Sequence, residues 1–225
     1  MTEDLFAPAV LPAVAIAPVT FRRKGSRRVF RKDGFATAAE MIGTITDGDD
    51  ICGITNGQFS LVDILQHVLT QTGEADVVIA TWTMGIYDAE KAYAFTTNGL
   101  IRSIRFILDP SMFCRSPELS SVLVKGFGVE SFRAVNSHAK FCTVRSKTMA
   151  VTIRSSMNLN ENKRLESFDL TACTAMTAFF ETLADEIWQK IDKGNRSQSN
   201  SVFADLLGVA SVKNPKRPNP FFAQG

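Results

Sequence analysis

The stretch Asp76-Val-Val-Ile-Ala-Thr-Trp82 decides the fold, because its run of apolar residues predicts a strand that is buried on both faces. A helical stretch from about Asp88 to Phe95 follows it, and a second apolar run, Ser103 to Asp109, comes next. Strands that alternate with helices pair in parallel and are covered by helices. This part of the sequence therefore predicts an α/β fold.

The pattern extends toward the N-terminus. Ile51 to Thr55 predicts a short strand, and Ser60 is a suitable N-cap for a helix that runs to about Leu69. The apolar residues of this helix recur at three and four positions, which places His67 on the polar face. We expect His67 to be exposed and to have no role in catalysis.

The pattern changes beyond a predicted helix from Pro117 to Lys125. Three strand-like segments follow closely, at Phe132 to Val144, Thr148 to Ser156 and Arg164 to Cys173. A helix with apolar residues from Phe179 to Ile191 closes the domain. The full prediction is a mixed, mostly parallel sheet with helices on both faces.

The composition is that of a globular protein. The chain has 225 residues, of which 45% are hydrophobic and 21% charged, which excludes a collagen, a mucin-like stalk and a wholly disordered chain. The apolar stretch from Leu5 to Val19 contains three prolines and is shorter than the roughly 20 residues of a membrane helix. Glu3 and Asp4 precede it, whereas a secretory signal has basic residues there. We expect a cytoplasmic protein that makes no membrane contact.

Charge and composition divide the chain into three parts. Residues 1–48 are predicted to be a basic, largely irregular arm, residues 49–194 the folded domain, and residues 195–225 a flexible tail. The net charge is +2, but one cluster in the arm contributes seven positive charges, and we expect this cluster to bind nucleic acid. A solvated or chaperone-like extension is the alternative for the arm. The cluster consists of Arg22, Arg23, Lys24, Arg27, Arg28, Arg31 and Lys32.

The four cysteines do not form a recognisable metal motif. Cys52, Cys114, Cys142 and Cys173 are far apart, without a Cys-x-x-Cys pair, and His138 near Cys142 cannot alone complete a zinc site. We expect reduced, mostly buried thiols.

His138 is the stronger of the two histidine candidates. In Asn136-Ser-His138-Ala-Lys140, the period of two along a strand points His138 and Lys140 to the same side. A His-x-Lys triplet occurs by chance in about one such protein in ten, so the pair alone is weak evidence. A turn near Ser146 to Thr148 would form a hairpin that returns Asn158 to His138, and Glu166 lies within reach further along.

These residues resemble the motif of the phospholipase D superfamily. Its signature is His-x-Lys, four residues and Asp, then a Gly/Ser-Ser/Thr-x-Asn turn and a downstream acid. Two departures are that Arg145 stands at the Asp position and that the hairpin is about three residues longer than usual. The matching positions are His138, Lys140, Ser155, Ser156, Asn158 and Glu166.

The resemblance implies a phospholipase D-like fold and a metal-independent phosphodiesterase without a cofactor. In that family one imidazole attacks phosphorus to give a phosphohistidine, and a second protonates the leaving oxygen. Lys140 and Asn158 would stabilise the phosphoryl oxygens, and Glu166 would orient an imidazole. Because the chain offers one suitable histidine, the resemblance to single-motif bacterial endonucleases implies a homodimer that shares one site.

The motif does not select the substrate. The basic arm and the absence of an apolar membrane-binding stretch favour DNA or RNA over lipid, so an endonuclease is the leading hypothesis. A catalytically degenerate family member that binds nucleic acid or a protein partner is the alternative, because Arg145 replaces the expected Asp. Hydrolysis of lipid phosphodiesters is a third hypothesis.

Overall fold

The computed structural model describes residues 36–159 and 164–194, which form a single seven-stranded sheet flanked by helices. The strands are β1 (Asp50–Asn56), β2 (Ala75–Thr81), β3 (Ile101–Leu108), β4 (Phe132–Ala134), β5 (Phe141–Ser146), β6 (Ala150–Ser155) and β7 (Leu165–Ala172). The helices are α1 (Ala38–Ile42), α2 (Leu61–Thr72), α3 (Ile86–Thr97), α4 (Pro110–Arg115), α5 (Pro117–Phe127) and α6 (Thr174–Gly194), with a 3₁₀ turn at Val129–Ser131.

The sheet is mixed, as the sequence predicts. Its strand order is β1-β7-β6-β5-β2-β3-β4. The pairs β2–β3 and β3–β4 are parallel, and the other four pairs are antiparallel. Five strands consequently run in one direction, and only β5 and β7 run against them. "Mostly parallel" therefore describes the strand directions, whereas four of the six neighbouring pairs are antiparallel, two of them formed by the hairpins from β5 to β7.

Two apolar cores lie on the two faces of the sheet. The larger core contains side chains from α1 to α5, and the smaller one is covered by α6. The central strand β2 contributes to both, since Val77 and Ile79 face the larger core while Val78 and Ala80 face the smaller one. This alternation explains why the apolar run that decides the fold is uninterrupted.

Helix α2 begins at the predicted N-cap. The Asp63 carboxylate accepts hydrogen bonds from the backbone N–H of Ser60, at 2.8 Å, and from its hydroxyl group. The apolar face of the helix is fully buried. His67 is half-buried rather than exposed, because its Nε2 lies 2.7 Å from the carbonyl oxygen of Gly43. This histidine ties α2 to the residues that follow α1.

The folded part begins earlier than residue 49. Helix α1 begins with a capping box, in which the side chains of Thr37 and Glu40 bind each other's backbone N–H groups. Ala38, Ile42 and Ile45 are buried in the larger core. Residues 38–45, which the sequence assigns to the arm, therefore pack with the domain.

Two elements differ from the prediction. The single strand expected from Phe132 to Val144 is two strands, β4 and β5, separated by the irregular residues 135–140. The short helix α4 was not predicted, because six residues are too few to show a helical period. Within the described residues, no helix is long and apolar enough to cross a bilayer.

Candidate active site

The candidate residues lie at one edge of the sheet. Trp82 follows β2, Asp109 follows β3, and Lys140 precedes β5. Ser156 follows β6, and Glu166 lies near the start of β7. The carboxyl ends of parallel strands share an edge of the sheet, and hairpin pairing brings the start of β5 and β7 to the same edge.

His138 and Lys140 form a close pair. The Lys140 Nζ lies 3.2 Å from His138 Nδ1 and donates to the carbonyl oxygen of His138 at 3.0 Å. Both residues belong to the irregular segment before β5, so the predicted strand geometry at this point is wrong. The proximity arises because Lys140 folds back over the backbone of His138. His138 is exposed and Lys140 half-buried.

An aspartate that the sequence analysis missed holds this segment. Asp109 caps α4 by accepting from the backbone N–H of Ser111 at 3.0 Å. Its second carboxylate oxygen accepts from the backbone N–H of Ser137 at 3.2 Å. The hydroxyl of Ser137 in turn accepts from the N–H of Ala139 at 3.1 Å. The residues on both sides of His138 are therefore held by hydrogen bonds to side chains.

Trp82 is a second residue that sequence reasoning missed. Its ring centroid lies 5.4 Å from that of His138, with the planes inclined at 47°. The guanidinium of Arg115 lies over the same tryptophan, 4.1 Å from the ring centroid. The only signal in the sequence was the position of Trp82 directly after a buried strand.

The hairpin of β5 and β6 is confirmed, and it delivers the predicted serines to this edge. The backbone N–H of Ser155 donates to the carbonyl oxygen of Lys140 at 3.1 Å. The Ser156 hydroxyl donates to Glu166 Oε2 and accepts from the backbone N–H of Ser167 at 2.9 Å. Glu166 thus binds a serine of the turn. Its predicted role in orienting an imidazole stays a prediction.

The environment of Lys140 affects its charge. Partial burial lowers the pKa of Lys140, and the negative charge of Glu166 acts in the opposite direction. Glu166 therefore helps to keep the ammonium group protonated.

Asn158 is half-buried at the end of the turn that follows β6. Its Oδ1 is enclosed and has no hydrogen-bond partner within residues 36–159 and 164–194. The next residue, Leu159, forms a bridge with Met84 and donates its N–H to Thr81 Oγ1 at 3.3 Å. The turn that carries Asn158 is thereby attached to the end of β2, beside Trp82.

Arg145, at the position of the motif's aspartate, lies at the far end of β5. Its Nε is 2.8 Å from both carboxylate oxygens of Glu181, and its Nη2 is 2.6 Å from Oε2. Hydrogen bonding to Glu181 raises the pKa of Arg145. This residue joins β5 to α6 and takes no part in the candidate site.

The seven basic residues of the arm, from Arg22 to Lys32, lie outside the described residues. In the part of the chain that the structure covers, no three His, Cys, Asp or Glu side chains are grouped as a metal ion would require. Cys142 is buried, and burial raises the pKa of its thiol to about 12. Cys52 is exposed and Cys173 half-buried, so two of the three described thiols are less buried than expected.

Comparison with solved structures found chains of similar fold. One is described as a phospholipase D family member, Nuc, from Salmonella typhimurium, with 12% identity, coverage of 64% of this chain and 96% of that chain, and a TM-score of 0.49. NucT from Helicobacter pylori is 16% identical, with coverage of 63% and 98% and a TM-score of 0.45.

A polyphosphate kinase from Porphyromonas gingivalis is 15% identical, with coverage of 62% of this chain and 26% of that chain, and a TM-score of 0.44. No family model matches the chain, and no curated protein matches it either.

Proposed function

We propose that this chain is a metal-independent endonuclease that cleaves DNA or RNA through a phosphohistidine, in a site shared by two copies of the chain. The observation that supports it is the pair formed by the His138 imidazole and the Lys140 ammonium, 3.2 Å apart at an open edge of the sheet. An exposed imidazole beside a fixed cation can attack a phosphorus atom whose oxygens the cation holds.

The two contacts of Lys140 correspond to two states of the imidazole. When the ammonium donates to Nδ1, that atom is unprotonated, and the proton of the neutral ring is on Nε2. In this state Nε2 has no free lone pair with which to attack phosphorus, and a neutral ring is too weak an acid to protonate a leaving oxygen. When the ammonium donates only to the carbonyl oxygen of His138, Nδ1 can carry the proton and Nε2 has a free lone pair. This second tautomer can act as the nucleophile.

The reaction requires one neutral imidazole with its lone pair on Nε2 and one imidazolium, which carries a proton on both nitrogens. The Nε2 of one His138 forms a bond to phosphorus as the P–O bond to the leaving group breaks, and the other imidazole gives its proton to the leaving oxygen. That imidazole then takes a proton from water, whose oxygen attacks phosphorus and releases the histidine.

The second imidazole has to come from another copy of the chain. The chain contains two histidines, and the other one, His67, is committed to the backbone of Gly43. A two-fold axis through the open edge would present two copies of His138, Lys140 and Asn158 to one phosphate. The ammonium groups and the Asn158 amides would then stabilise the negative charge on its oxygens.

The test is an oligonucleotide cleavage assay in excess EDTA across neutral pH, with light scattering to measure the mass in solution. We expect wild-type protein to be active and dimeric, His138→Ala to lose at least a thousand-fold in rate, and the matched control His67→Ala to remain active when folded. Full activity of His138→Ala would refute the proposal.

Mixed dimers test the shared site. Wild-type protein is mixed with His138→Ala, and the subunits are allowed to exchange. If each site needs two His138 imidazoles, the activity of the mixture should be proportional to the square of the wild-type fraction. A linear loss would mean that one copy suffices. Oligonucleotide binding without turnover, unaffected by His138→Ala, would favour the alternative of a catalytically silent binding protein, which the substitution of Arg145 for the motif's aspartate suggests.

A further inference from the structure

Arg115 is a cation held in place beside the candidate site. Its guanidinium lies 4.1 Å from the ring centroid of Trp82, and its Nε donates to the carbonyl oxygen of Ser111 at 3.2 Å. The residue is nevertheless exposed, and within the described ranges no carboxylate pairs with it. Two contacts therefore fix the guanidinium while its terminal nitrogens form no ion pair in this part of the chain.

The distance from Arg115 to His138 is limited by the tryptophan between them. Trp82 lies 5.4 Å from the imidazole centroid, so the guanidinium is no farther from the imidazole than the sum of these two separations. This upper limit exceeds the rise of about 3.4 Å per nucleotide along a strand, so it leaves room for consecutive phosphates. A phosphate bound at Arg115 and one at His138 can thus belong to the same strand.

The chemistry of arginine suits this position. A guanidinium presents parallel N–H groups that match two oxygens of a phosphate, and stacking on an aromatic ring reduces the freedom that it loses on binding. Trp82 and the Ser111 carbonyl oxygen leave the outer nitrogens of Arg115 for such a ligand.

We propose that Arg115, positioned by Trp82, binds a phosphate that neighbours the scissile phosphate on a nucleic-acid strand. The inference rests on the proposed function and specifies its substrate. A strand carries consecutive phosphate diesters, whereas a phospholipid has one such diester at its head group. Arg115 would therefore select a polynucleotide over a lipid.

Methylphosphonate substitution tests the contact directly. Single-stranded oligonucleotides with one neutral methylphosphonate, placed in turn at each position around the cleaved bond, remove one phosphate charge at a time. Besides the cleaved position, we expect one neighbouring position at which wild-type cleavage falls at least ten-fold. In Arg115→Gln, a methylphosphonate at that neighbouring position should leave the cleavage rate unchanged. Lys147→Gln, which removes an exposed cation at the opposite end of the hairpin, is the matched control and should keep the wild-type pattern.

Trp82 is a positioning residue in this proposal, so conservative and disruptive variants should differ. Trp82→Phe keeps an aromatic face under the guanidinium and should retain the sensitivity to the neighbouring methylphosphonate. Trp82→Leu should lose it, with a higher KM for oligonucleotides. The ratio of the oligonucleotide rate to the rate on bis(4-nitrophenyl) phosphate, a diester without neighbouring phosphates, should fall about ten-fold in Arg115→Gln.

Binding measurements separate this inference from the proposed function. The affinity for a single-stranded oligonucleotide, measured by fluorescence anisotropy over a range of salt, should have a log–log slope smaller by about 0.7 in Arg115→Gln, as for one lost phosphate contact. A changed slope without any cleavage by wild-type protein would support the contact and refute the nuclease. Cleavage with an unchanged slope and an unchanged methylphosphonate pattern would refute the contact alone. Wild-type protein that neither binds nor cleaves would refute both.

Discussion

Replacing Arg145 by Met tests whether the residue at the motif's aspartate position serves stability rather than catalysis. Arg145 is 31% exposed and Glu181 20% exposed, and three N–H···O contacts of 2.6–2.8 Å join them. Hydrogen bonds to charged groups contribute about 1.5–3 kcal/mol, and breaking a fully buried pair costs about 3–5 kcal/mol. Because both side chains retain some contact with solvent, we expect a loss of about 2 kcal/mol.

Urea unfolding followed by circular dichroism measures this loss. A loss of about 2 kcal/mol should lower the Tm by about 4–8 °C in a chain of this size. Most of the loss comes from the carboxylate of Glu181, which would be left without its partner. The double variant Arg145→Met/Glu181→Leu should therefore be more stable than Arg145→Met alone.

Catalysis should respond differently. Arg145 lies five positions after Lys140 along the chain, about 17 Å at about 3.4 Å per residue of strand. Below the unfolding transition, Arg145→Met should therefore cleave oligonucleotides at the wild-type rate within about two-fold. Lys147→Met, an exposed cation in the next turn, is the control for the loss of charge. An Arg145→Met protein with normal stability and a large fall in kcat would refute this reasoning.

Three further predictions concern pH, packing and charge. Glu166→Gln removes the negative charge that opposes the lowering of the Lys140 pKa by burial, so the alkaline limb of the rate profile should move to lower pH; an unchanged limb would contradict this. Gly53→Ala places a methyl group against the ring of the buried Phe168, and we expect it to cost about 1–3 kcal/mol in urea unfolding, whereas wild-type stability would show that the ring can move. Deletion of residues 1–33 removes seven basic residues and should reduce the log–log dependence of duplex binding on salt by up to about 0.9 per lost contact. An unchanged dependence would show that the arm does not contact the duplex.

The sequence predicted the framework well, because the framework depends on local patterns. The apolar run of β2 and the periodic spacing of α2 each identify an element without knowledge of its neighbours. The hairpin of β5 and β6 was predictable for the same reason, since a short turn joins two strand-like segments.

The candidate site was predicted less completely, because its geometry depends on contacts between distant residues. Asp109 accepts a hydrogen bond from Ser137, 28 positions away, and so holds the segment that carries His138, which no local pattern indicates. Trp82 and Arg115 meet only because β2 and β3 end at the same edge. The Asp-Pro sequence at 109–110 was a usable signal for the start of α4, since both residues favour a helix N-terminus.

The side chains of His138, Lys140, Ser156 and Glu166 lie outside both apolar cores. A change at any of them removes little packing, so inherited changes in this group would leave expression and heat resistance nearly intact. Selection for a stable fold would then act equally on variants with and without catalytic activity. Descendants of such a protein could diverge in activity while keeping one architecture, and only assays on each of them would tell which have retained the reaction.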